Sequence, residues 1–131
     1  MRYRATPYLK LTALVTLLVV IVAACITVLF VKALKPTSAG AFAFFACWLV
    51  LPHAVMSTAL VLLWRKRAAS VDLHVVAVLV SIGGIVFLTD AIFWHPDAQG
   101  AIAVMMTPIL QGGALALLIP VASWLFRNAR A

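Results

Sequence analysis

Four uninterrupted apolar runs constrain this chain more than any other feature. They cover residues 11–31, 40–64, 73–94 and 101–126. None contains a Lys, Arg or Glu, and the only carboxylate inside any of them is Asp90. A helix needs about 20 residues to cross the hydrocarbon core of a bilayer, and every run reaches that length. Inside lipid the backbone must satisfy its own hydrogen bonds, so the runs are expected to be helical. Barrel strands would alternate in polarity over about ten residues, which these runs do not do. The expected fold is all-α: one integral membrane domain over residues 1–131, an antiparallel bundle of four transmembrane helices.

Composition supports that class against the alternatives. Apolar residues make up 66% of the 131 and charged residues 10%. A soluble domain is about half apolar and a quarter charged, so this chain lacks the charge to solvate a globular surface. The net charge of +7 does not signal nucleic acid. Its cations sit at the ends of the apolar runs, without the polar and stacking residues that a nucleic-acid surface needs.

The links at 32–39, 65–72 and 95–100 are short, so sequential helices should lie adjacent and antiparallel. Pro36-Thr37-Ser38 and Pro96-Asp97 carry turn and helix-start chemistry, and Asp97 is placed to cap the fourth helix. Arg2, Arg4, Lys10, Arg65, Lys66, Arg67, Arg127 and Arg130 fall on one side, against Lys32 and Lys35 on the other. The positive-inside rule then puts both termini in the cytoplasm and the first and third links outside. A bacterial inner membrane is the expected location. Trp64, Trp94 and Trp124, with Tyr8, sit where aromatic rings favour the headgroup region. Arg65-Lys66-Arg67 reads as a cytoplasmic stop signal that also touches lipid headgroups. Arg2, Arg4, Lys10 and the box Val22-Ala23-Ala24-Cys25 imitate a lipoprotein signal peptide. The apolar run continues past Cys25 through Phe30, which argues for a retained helix.

Polar residues inside hydrocarbon are informative because each is costly unless partnered. His53 follows Pro52 near the middle of the second helix, and Gln111 lies at similar depth in the fourth. Pro52 and Pro108 each free a carbonyl one turn back. The structural reading gives His53 a backbone or hydroxyl partner and makes Gln111 interhelical glue. The functional reading makes His53 and Gln111 a polar site at the membrane centre, with Asp90 as an outer ion-accepting group. Against that, Asp90 reads as a solvated helix-end carboxylate near Thr89, His95 and Lys32.

Gly83-Gly84 and Gly112-Gly113 are expected to let the third and fourth helices cross closely. The tetrads Ser81-Ile82-Gly83-Gly84 and Leu110-Gln111-Gly112-Gly113 look alike but are too short to count as a repeat. His53, His74 and His95 lie at different depths and cannot converge on one metal ion. Cys25 and Cys47 are expected to be buried, unpaired and inert. Met105-Met106 and the cluster Phe42, Phe44 and Phe45 read as packing or lipid-facing residues.

These features rank three function classes. The first is a non-catalytic membrane protein acting through helix–helix contacts: an accessory subunit, an immunity-type protein or a holin-like oligomer. Its partners would be the bilayer and another membrane protein or copies of itself. The second is a small oligomeric transporter or channel using His53, Gln111 and Asp90. Catalysis ranks last, because the three carboxylates are dispersed and no nucleophile–base pair, metal set or cofactor motif is present.

Overall fold

The computed structural model describes residues 7–65, 70–96 and 98–128, with the side chains of residues 7–9, 98 and 126–128 left aside. The chain is all-helical there, in the order α1 (Pro7–Ala33), α2 (Ala39–Arg65), α3 (Val71–Thr89), a π-helical turn (Asp90–Trp94) and α4 (Ala98–Asn128). Four helices are long and apolar enough to cross a membrane, which fits a multi-pass membrane protein. Arg2, Arg4, Lys66, Arg67, Asp97 and Arg130 lie outside the described residues, as do the side chains of Tyr8 and Arg127.

Local chemistry sets the helix ends. Pro7 opens α1, where its fixed φ suits a first helical turn and its missing N–H loses nothing. At the other end Lys35 takes a left-handed φ of 49°. The following Pro36 disfavours helical backbone at Lys35, and the left-handed residue turns the chain out of α1. Ser38 then starts α2: its hydroxyl accepts from the Ala41 N–H at 3.1 Å. Ser70, with extended backbone, precedes α3. The Ser70 carbonyl accepts from His74 Nδ1 at 2.7 Å, which places the ring proton on that nitrogen.

Helix contacts do not simply follow chain order. α1 packs on α2 and on α3, and α4 packs on α3 and on α2. α2 and α3, though consecutive, barely meet, contrary to the adjacency expected from a short link. A link constrains where two helix ends lie, not which flanks face each other along their length.

Two apolar clusters form the interior. One gathers Val20, Met56, Leu60, Val76, Ala77 and Val80. The other gathers Val31, Leu49, Leu88, Ala91 and Val104. Their order reverses from each helix to the next: the first cluster precedes the second on α1 and α3 and follows it on α2 and α4, where Ala114 and Leu115 pack against it. Less than two fifths of the most apolar stretch of each span is buried within the chain. The rest presents Leu, Ile, Val and Phe outward, a surface for lipid rather than water.

Side-chain bonds tie α4 to its neighbours at two levels. Trp48 Nε1 on α2 donates to the Met105 carbonyl at 2.8 Å. Near the other end, the Ser123 hydroxyl donates to Asp72 Oδ2 on α3 at 2.7 Å. The Met105 carbonyl lies next to that of Val104, which loses its ladder donor at Pro108.

The π-helical turn ends α3 with the His95 N–H bonded to the Asp90 carbonyl at 2.9 Å. The turn sets Phe93 edge-on to Phe30 of α1, with ring centroids 5.4 Å apart. Gly100 of α4 sits against the turn, where a Cβ would collide with the carbonyl oxygens of His95 and Ala91. Backbone cannot yield as a flexible side chain does, so Gly100 is required by this close approach.

Gly100→Val should therefore lower the thermal unfolding midpoint in mild detergent by several degrees. Gly83→Ala, where a Cβ meets nothing within 4 Å, should leave it unchanged or raise it through helix propensity of about 0.5–1 kcal/mol. A thermal melt followed by circular dichroism separates the two.

Candidate functional site

Between the two apolar clusters, every helix contributes an inward polar side chain. α1 places Thr27 between Val20 and Val31, and α2 places His53 between Leu49 and Met56. α3 places Ser81 between Val80 and Leu88, and α4 places Thr107 and Gln111 between Val104 and Ala114. All five are buried, with His53 at 1% exposure, Ser81 at 0% and Gln111 at 4%.

Hydrogen bonding divides this layer into two groups. Thr27 bonds back to the Ala23 carbonyl at 2.8 Å and Thr107 to the Ala103 carbonyl at 3.0 Å. Thr16 and Thr89 do the same at the two ends of the fold. A hydroxyl that returns to the carbonyl one turn back is satisfied within its own helix and needs nothing else. Ser81, equally able to do so, has no partner for Oγ. Both ring nitrogens of His53 and the amide oxygen of Gln111 are also unpartnered. Among the described residues these are the only buried side-chain polar atoms without a hydrogen bond, and they come from α2, α3 and α4 at one level.

Neither ring nitrogen of His53 makes a hydrogen bond. Its structural reading, a bonded histidine, is therefore not what the fold provides. Gln111 Nε2 reaches the Val80 carbonyl on α3 at 3.5 Å, a long bond across the helix pair rather than one within α4. That donor orients the amide and leaves Oε1 as the free acceptor. Gly84 makes room for it, since a Cβ there would strike the Gln111 amide.

The remaining glycines do not act as expected. A Cβ on Gly83, Gly112 or Gly113 would meet nothing within 4 Å, and all three are exposed. The close approach of α3 and α4 at this level therefore involves Gly84 alone. Continuous apolar runs do not encode helix rotation, so a glycine pair does not reveal which member faces inward.

No protein family, curated protein or solved structure matches the chain.

Asp90 lies apart from the polar layer. Its side chain is about half exposed, and Oδ1 lies 3.2 Å from His95 Nδ1, a contact that is an ion pair only when the imidazole is protonated. An exposed pair of this kind adds little to stability. Asp90 does not line the α3–α4 cavity that contains Gln111. His74 sits in the first turn of α3 and His95 follows the π turn, both distant in sequence register from His53. Among the described residues no three His, Cys, Asp or Glu side chains gather to hold a metal ion. Cys25 and Cys47 are free thiols, and both are exposed rather than buried. Arg65 closes α2 and is exposed, as are Trp64, Trp94 and Trp124.

His53 and Gln111 stand out in the sequence, whereas Ser81 stands out there only as part of a tetrad. The available signal was that Ser81 belongs to an unbroken apolar run, and most such hydroxyls bond within their own helix.

A buried hydroxyl without a partner destabilises the fold by roughly 1–3 kcal/mol in a water-soluble reference, and less in lipid. Ser81→Ala should thus raise the unfolding midpoint in detergent by a few degrees, equivalent to about 1 kcal/mol. Thr27→Val, which removes a hydroxyl already satisfied by Ala23, should change stability by less than about 0.5 kcal/mol. An unchanged or lowered midpoint for Ser81→Ala would show that Oγ has a partner.

Proposed function

We propose that this chain is a non-catalytic multi-pass membrane protein that acts through helix–helix contacts on its lipid face. The observation that carries this reading is a notch between α2 and α4. It has a volume of about 200 Å³ and is lined by Pro52, Pro108 and Gly112 beneath Leu51, Val55 and Ile109. Gly112 and Ala116, one turn apart on α4, are both exposed, and a Cβ on Gly112 would meet nothing. In lipid no hydrophobic drive holds helices together, so association depends on small residues that admit a close backbone. The spacing Gly112-x-x-x-Ala116 meets that need outside the fold, where this chain makes no use of it. The occupant would be a transmembrane helix of another protein or of a second copy.

The proposed orientation has both termini in the cytoplasm of a bacterial inner membrane. The Lys and Arg asymmetry, eight against two, supports it. The reversal of the two apolar clusters on successive helices supports an antiparallel, up-and-down course. Arg65, Lys66 and Arg67 would then meet anionic headgroups.

A second reading, a small oligomeric transporter or channel, is favoured by the unpartnered atoms of His53, Ser81 and Gln111. Such atoms at the level between the clusters would be satisfied by water or by a polar solute in passage. Asp90, paired and half exposed, would stand at the outer end of such a path.

Two measurements check the first reading. Gly112→Ile combined with Ala116→Ile should abolish energy transfer between labelled copies in vesicles, or capture of the partner helix, and leave the melting midpoint of the chain unchanged. Retained association would remove this face from consideration. In a background with Cys25 and Cys47 replaced by Ser, a Cys at Ser38 should react with a membrane-impermeant maleimide on intact cells. One at Ala131 should react only after lysis; the reverse pattern would invert the orientation.

A further inference from the structure

The π-helical turn brings together two metal-ligating side chains that a regular helix would hold apart. At about 3.6 residues per turn, residues five apart in an α-helix point about 140° away from each other. The turn over Asp90–Trp94 closes instead with the His95 N–H on the Asp90 carbonyl at 2.9 Å, so the fifth residue returns to the face of the first. Asp90 Oδ1 and His95 Nδ1 consequently lie 3.2 Å apart. A tetrahedral ion with ligands at about 2.0–2.2 Å has a nitrogen and an oxygen about 3.3 Å apart along one edge. The observed separation is therefore that of two neighbouring ligands on one ion. The side chains are 47% exposed for Asp90 and 69% for His95, which leaves open positions around such an ion. Gly100 of α4 packs against the carbonyl oxygens of His95 and Ala91, so a second helix backs the turn.

We propose that Asp90 and His95 form a chelating site for an exchangeable divalent transition-metal ion of the zinc class. An imidazole nitrogen with a carboxylate oxygen suits zinc, nickel or copper, whereas magnesium takes oxygen ligands. Among the described residues no third His, Cys, Asp or Glu joins the pair, so water completes the coordination. Structural zinc sites have four protein ligands. Two ligands hold an ion that comes and goes with its concentration. The ion takes the Nδ1 lone pair, so a proton held between the two groups passes to solvent as the metal binds. The site depends on neither the α2–α4 notch nor a polar path across the membrane. The spacing Asp90-x-x-x-x-His95 does not announce it, because only the π turn makes residues five apart neighbours.

The test uses the full-length chain in mild detergent and metal-free buffer, with Cys25 and Cys47 replaced by Ser so that no thiol competes. Zinc chloride is the probe and magnesium chloride the control, with binding read by isothermal titration calorimetry. Zinc should bind saturably at one ion per chain, and magnesium should not. His95→Ala and Asp90→Asn should each weaken zinc binding at least tenfold, since losing a group that merely supports a ligand already costs about 10–100-fold. Asp90→His should retain zinc, because a second imidazole is also a ligand. His74→Ala, at the far end of α3, should bind zinc as its parent does. The pair is exposed and adds little to stability, so each variant should melt like its parent without metal. Absence of saturable zinc binding, an equal response to magnesium, or zinc binding that survives both His95→Ala and Asp90→Asn would overturn the site. Loss in His95→Ala alone would overturn the chelate, since it would leave a lone imidazole as the ligand.

Discussion

Every polar group drawn into hydrocarbon must find its partner inside the protein, because lipid offers none. That rule organises this fold. It makes the backbone helical along four runs, and several hydroxyls within them turn back on their own helix. Thr16, Thr27, Thr89 and Thr107 all follow it. Against that background three side chains break the rule together, and they do so from three helices at one level. A single unpartnered group could be a local irregularity. His53, Ser81 and Gln111 all fall between the two apolar clusters, and Gly84 leaves room for one of them.

The exterior obeys a different economy. With most of each span facing outward, contact inside the chain is limited and is reinforced where it counts by specific bonds. Trp48 to Met105 and Ser123 to Asp72 hold α4, whose C-terminal half otherwise faces lipid, with Leu117 71% exposed. The same helix carries three features that weaken a regular ladder, Pro108, Pro120 and the pair Gly112-Gly113. α4 is thus tethered by its neighbours and shaped by its own prolines, and the notch it forms with α2 lies along it.

Much of this was legible in the sequence, and the parts that were not share one physical cause. The four helices follow from run length alone, since no other structure satisfies the backbone. His53 and Gln111 stand out because a polar side chain in an apolar run is conspicuous whatever its direction. What the runs do not carry is rotation about the helix axis, because a helix that is apolar all round has no marked inner face. A glycine pair therefore reads as a close crossing of α3 and α4, although only Gly84 makes one. Cys25 and Cys47 likewise read as interior residues and lie exposed, and α2 and α3 read as neighbours along their lengths but barely meet. Whether Ser81 bonds to its own helix depends on its rotamer, which composition does not report.

The π-helical turn at Asp90–Trp94 has a consequence for the mechanics of α3. Such a turn accommodates one residue more than a regular helical turn with its backbone bonds still made. It acts as slack in an otherwise rigid rod. The tip of α3 beyond the turn, with Phe93 against Phe30, can be set in azimuth by what surrounds it, and the segment carrying Ser81 and Gly84 keeps its own heading. A disturbance at this end of the fold is thereby absorbed over a few residues before it reaches the level of Ser81.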